Sequence, residues 1–164
     1  LGHQRKLLKY LHDAIRHRTM ATVGYYIGGM KEKDLKISEG KKVIIATYAM
    51  AEEGLDIKTL TTLIMATPKV DVTQSVGRIL RQKHKQAIVV DIVDPHMLFQ
   101  RHFTKRKTFY RKSKFKVIQT NMNGYINGNW ETIYDPVNKI KNSFSKATKK
   151  NEDKLLQGVC LIGD

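Results

Sequence analysis

The chain has 164 residues, enough for one domain with an appendage, and its 41% hydrophobic content can fill a sizeable core. Thirty Lys and Arg against fifteen Asp and Glu give a net charge of +15 and a pI near 9.9, a footprint expected of nucleic-acid partners, which an anionic membrane surface could also attract. The single cysteine, Cys160, excludes a disulfide framework and a cysteine metal cluster; no run approaches the ~18 apolar residues of a membrane span, and no signal-peptide pattern opens the chain.

Residues 4–17 read as an amphipathic helix with Leu7, Leu8, Leu11, Ala14 and Ile15 on one face. An α/β lobe ordinarily places a strand before such a helix. None is read here, so the chain is expected to be part of a longer protein. Residues 22–27 read as a strand closed by Gly28-Gly29, whose glycines permit a positive φ or a close backbone approach. A short charged helix is expected over 31–39 and a strand over 43–47. Gly40-Lys41 is not a phosphate-binding loop, because Leu35 and Lys42 stand where that pattern needs Gly and Ser or Thr. No magnesium-binding Asp-Glu box is present, and Glu52-Glu53 is not read as a metal site. The histidines lack ligand spacing, so no metal is expected.

Residues 62–66 form another apolar run, closed by Thr67-Pro68. Asp71 or Thr73 can cap the helix that follows. Val76, Ile79 and Leu80 fall on its core face, while Gln74, Arg78 and Arg81 share a neighbouring face one turn after another. Two guanidiniums and an amide so arranged suit an anion with several oxygens, such as a triphosphate. A solvated basic face is the competing account. Residues 87–94 read as a buried parallel strand. Strands and helices thus alternate from Thr22 to Val93, which predicts a parallel sheet covered by helices.

No acidic residue occurs between Pro95 and Trp130, while basic residues from Arg101 to Lys116 crowd there. Phe99, Phe103 and Tyr110 keep helical spacing, so a helix can dock and turn its basic side, including Lys105 and Arg106, toward a phosphate backbone. Residues 117–134 carry Asn-Gly twice and suggest one or two hairpins; 138–157 are Lys-rich, and 158–162 read as an edge strand.

The order Thr47-x5-Glu53-Gly54-x-Asp56, strand, Gln74-x2-Gly77-Arg78-x2-Arg81 resembles motifs V and VI of the superfamily 2 helicases and nucleic-acid translocases. The Q-S-V-G-R-I-L-R form is most similar to the XPB/UvsW-like branch, which includes the poxvirus transcript-release helicase and its relatives in large DNA viruses. The resemblance runs from residue 1 to about 115. It implies the second RecA-like lobe, an α/β parallel sheet lacking its first strand (1–115), followed by a basic C-terminal extension (116–164).

ATP and Mg would be held mainly by the N-terminal RecA-like lobe of the same protein. Arg81 would be the arginine finger, worth roughly a thousandfold in rate in related hydrolases. Arg78 would support it or contact the phosphates as well, and Gln74 would bond near the γ-phosphate or the water. Gly54 and Asp56 would line the nucleotide cleft. Thr47, Gly28, Gly29, Lys105 and Arg106 would follow the nucleic acid. The implied partner is DNA, with RNA open. Location would be intracellular, or the virion or host-cell cytoplasm if the source is viral. By itself the chain is expected not to hydrolyse ATP. The alternatives are a non-catalytic basic binding module and a double-stranded DNA translocase that does not unwind.

Overall fold

The computed structural model describes residues 1–79 and 87–137. Helix α1 (Arg5–His17) lays Leu8 into the interior with Leu7, Leu11 and Ile15 half-buried beside it. Strand β1 (Val23–Tyr26), helix α2 (Glu32–Glu39) and strand β2 (Val43–Ala46) follow. Helix α3 (Tyr48–Glu53) starts directly on the end of β2. Then come β3 (Thr62–Met65), α4 (Thr73–Ile79), β4 (Ile88–Asp91) and α5 (Met97–Lys112). The chain continues through β5 (Val117–Gln119), α6 (Met122–Asn127) and β6 (Glu131–Tyr134).

β1 pairs with β2 in parallel, Val23 opposite Val43, and β3 pairs with β4 in parallel, Thr62 opposite Ile88. The first two residues connect these pairs. The Gly2 amide donates to Ala46 O at 3.2 Å, and the Ala66 amide donates to Leu1 O at 2.8 Å. Gly2 forms a parallel bridge with Thr47. Leu1-Gly2 therefore occupies the ladder position between β2 and β3 where the first strand was expected to be missing. The spatial order is β1, β2, residues 1–2, β3, β4. This mixed α/β arrangement is compatible with a RecA-like fold.

One face of the sheet carries the main core. Leu63, Met65 and Val89 meet Val72 and Val76 from α4 and its approach, and Phe103 and Tyr110 from α5. A satellite cluster of Tyr26, Ala46, Ala51 and Leu55 lies under α3. On the other face α1 packs over β1 and β2, beside a cavity of about 310 Å3 whose lining includes Leu8, Leu11, Ile15 and Ile44, while Ile64 and Ile92 at its β3–β4 side stay about half exposed.

The hairpin expected over 117–134 takes another form. β5 and β6 do pair antiparallel, with a register shift at Val117/Ile118, but α6 joins them. Neither Asn-Gly makes a two-residue turn. Asn121 accepts from the Gly124 amide at 2.7 Å and caps α6, so Asn123-Gly124 enters a helix. Gly128, at φ 71°, ends it in the left-handed conformation that glycine adopts without strain. Phe115 and Val117 are buried in the main core, and Ile133 and Tyr134 pack against it. Leu80, Arg81 and the tail segments 138–157 and 158–162 lie outside the described residues, as does any account of the Ile79 side chain.

Candidate functional site

Parallel α/β sheets bind ligands at the carboxyl ends of their strands. Here that edge carries Gly28-Gly29 after β1, Thr47 after β2 and Thr67 to Lys69 after β3. Thr47 leaves β2 in an extended conformation and its hydroxyl accepts from the Met50 amide at 3.4 Å, so it is the N-cap of α3. Its expected role at a nucleic-acid phosphate has this capping role beside it. Gly54 ends the same helix at φ −127°, a conformation open to any residue. Its carbonyl accepts from the Tyr26 hydroxyl at 3.0 Å, tying the end of α3 to β1. Asp56 follows, exposed, in the segment leading to β3.

Asp71 opens α4 by accepting from the Thr73 amide at 2.9 Å, and this bond holds the Asp71 carboxyl below its usual range. Gln74 is exposed in the first turn. One turn later Arg78 is half-buried. Its Nη1 donates to Leu55 O at 3.0 Å and its Nη2 to Glu52 O. Arg78 thus commits two of its five N–H donors, one to the last turn of α3 at Glu52 O and one to Leu55 O just past its end. At Glu52 O the guanidinium supplies what a helix end lacks, since the last carbonyls have no intrahelical partner. The two sequence motifs are physically joined by this residue. Arg78 was expected to support the finger; the geometry gives it a positioning bond to the Glu53-Gly54-x-Asp56 segment.

A second junction escaped the sequence reading. The Glu52 carboxylate receives Lys69 Nζ and, at 2.9 Å, the Ser75 hydroxyl. Lys69 also lies over the Tyr48 ring, 4.8 Å from its centroid. The Tyr48 hydroxyl donates to Thr67 O at 2.7 Å, and burial pushes its pKa well up, with the Asp91 charge adding to the effect. The His3 amide donates to Thr67 Oγ1 at 3.0 Å, and its ring meets Tyr48 at 4.7 Å. Glu52 was read only as part of the motif, and no spacing rule links it to Lys69 seventeen residues on.

The Gly28-Gly29 loop lies close to α3. Gly28 O accepts from Arg5 Nη2 at 3.0 Å, and a Cβ there would meet Met50 Sδ at 4.0 Å. Gly29 has φ 88°, which glycine adopts freely and other residues do not. The structure therefore brings Gly28 and the start of α3 at Thr47 to one end of the sheet.

The basic helix needs one correction. Arg106 was expected on the outward face beside Lys105. It is 1% exposed and bonds Asp91 through Nε at 2.7 Å and Nη2 at 2.9 Å, with Nη1 on Lys69 O. The Tyr110 hydroxyl also donates to Asp91, at 3.0 Å. Phe103 and Tyr110 set which face is buried, and Arg106 falls between them on that face. Burial raises the Asp91 carboxyl, and the Arg106 guanidinium opposes the rise. Lys105 is exposed. With Arg101, Thr108 and Lys112 it forms an outward stripe spaced at four, three and four residues.

Comparison with known proteins gives this edge a context. Over 102 residues the chain is 45% identical to "Putative ATP-dependent RNA helicase L396" of Acanthamoeba polyphaga mimivirus, covering 60% of this chain and 20% of that protein. The chain is related to helicases of large DNA viruses. It is 28% identical over 146 residues to "Putative ATP-dependent RNA helicase QP509L" of African swine fever virus, covering 82% of this chain and 29% of that protein. It is 35% identical over 78 residues to "Putative helicase 161L" of Invertebrate iridescent virus 6, covering 47% of this chain and 18% of that protein. The chain thus spans less than a third of the length of these relatives. No family model and no solved structure matches it. Among the described residues, no helix is long and apolar enough to cross a membrane.

Proposed function

We propose that this chain is the C-terminal RecA-like lobe of an ATP-dependent nucleic-acid helicase or translocase, with residues 1–115 forming the motor lobe and 116–164 its basic extension. The observation that carries the reading is the pair of hydrogen bonds that Arg78 donates to Leu55 O and Glu52 O. These bonds tie α4 at Arg78 to the Glu53-Gly54-x-Asp56 segment, which links the two sequence motifs. A binder with no nucleotide chemistry has no need of such a junction.

In this account Arg81 is the arginine finger. It reaches the γ-phosphate of ATP held with Mg by the N-terminal lobe, and offsets charge on the transferring phosphoryl group. Gln74 bonds beside it, and Gly54 and Asp56 line the cleft. Thr47, the Gly28-Gly29 loop and Lys105 track the nucleic-acid backbone. ATP closes the lobes and hydrolysis opens them, which moves the protein along a strand. The XPB/UvsW-like form of the motif favours DNA, whereas two of the relatives carry RNA helicase in their names.

The test is ATP hydrolysis by the full-length protein and by the 164-residue chain, each with single-stranded DNA, RNA and no nucleic acid. The expected result is stimulated turnover in the former and none in the latter. Turnover by the chain alone, or by neither with any nucleic acid, overturns the proposal.

A further inference from the structure

An open groove of about 840 Å3 runs between α5 and the β5–α6–β6 unit. Its walls include Gln100, Asn123, Asn127, Asn129, Trp130 and Glu131. Carboxamides both donate and accept, which matches the edges of nucleobases. The lone carboxylate among them, Glu131, accepts from Gln119 Nε2 at 2.8 Å. Trp130 is 37% exposed and meets Tyr125, itself 61% exposed, edge to face at 6.0 Å. Two exposed aromatics braced against each other at a polar groove make no sense as core. They offer stacking surface at little conformational cost.

The surroundings supply charge. Gln100 lies at the groove and on α5, next in sequence to Arg101, where the exposed stripe of Arg101, Lys105 and Lys112 begins. No acidic residue occurs from Pro95 to Trp130. A polyanion with flat faces and hydrogen-bonding edges matches all three features. We propose that this groove is a base-stacking site for single-stranded nucleic acid. One base lies on Trp130, its edge meets the asparagine amides, and the phosphates follow the α5 stripe. A duplex keeps its bases stacked on one another, so only an unpaired strand can offer a face to the indole. The inference rests on the nucleic-acid partner proposed above and adds where a base is held.

Trp130 is the only tryptophan of the chain, so its emission reports on this groove alone. The experiment titrates the 164-residue chain with oligouridylate, oligodeoxythymidylate and a duplex of equal length. Labelled strands give anisotropy in parallel. Trp130 emission should quench with the same midpoint as single-strand anisotropy, and the duplex should leave it unchanged. Trp130→Ala should weaken single-strand binding by roughly fivefold or more, and Trp130→Phe should restore most of it. The two oligonucleotides distinguish an RNA from a DNA site. Anisotropy that rises while emission stays constant overturns this site and leaves the motor-lobe reading standing, as does Trp130→Ala binding like wild type. No binding of any strand overturns both.

Discussion

Replacing Arg106 by Met removes the guanidinium and keeps an unbranched side chain of related length. Asp91, 1% exposed, then loses its two bonds at 2.7 and 2.9 Å, and Lys69 O loses its donor. The Tyr110 hydroxyl remains, but it does not neutralise the charge. Breaking one side of a buried pair costs about 3–5 kcal/mol, against a total stability of about 5–15 kcal/mol for a domain. Urea denaturation of the chain should therefore show its midpoint fall by on the order of 1–3 M. The pH dependence adds a second readout. Burial already raises the Asp91 carboxyl, and loss of the opposing Arg106 raises it further. An acid whose folded pKa lies above its unfolded value binds its proton more tightly in the native state. The variant should thus be most stable in acid and lose stability as pH rises through the raised value. Asp91→Leu combined with Arg106→Met should recover most of the loss. A loss below about 1 kcal/mol, with weakened nucleic-acid binding instead, would place Arg106 on the surface and refute the reasoning.

Gly24→Ala should destabilise by about 1–3 kcal/mol in the same assay, because its Cβ would sit 2.9 Å from Ser38 Cα on α2. Thr47→Ala should cost about 0.5–2 kcal/mol through the lost cap of α3, and Thr47→Ser should restore it. Lys105→Ala should reduce the slope of log binding constant against log salt by about 0.7–0.9, as expected for one phosphate contact.

The α/β alternation was legible because its strands are short apolar runs separated by amphipathic segments: α1, β1, α2, β2, β3 and β4 each lie within the span expected for them, and helices form where α4 and α5 were expected. α3 went unread because Tyr48–Glu53 is six residues long and carries no periodic stripe. The place of Leu1-Gly2 in the ladder was invisible, since two residues give no pattern. Arg78 was singled out from spacing, yet its carbonyl partners twenty-three and twenty-six residues earlier follow only from the packing of α3 on α4. Arg106 was misread because a charge run hides which member turns inward. The deciding signal was Asp91 at the end of an apolar strand, a charge that needs a partner when buried.

The most direct test of the motor-lobe account is nucleic-acid-stimulated ATPase of the full-length protein, wild type beside Arg81→Ala. The account predicts a fall in turnover of roughly a thousandfold with nucleic-acid binding retained. A variant that hydrolyses ATP like wild type would contradict it.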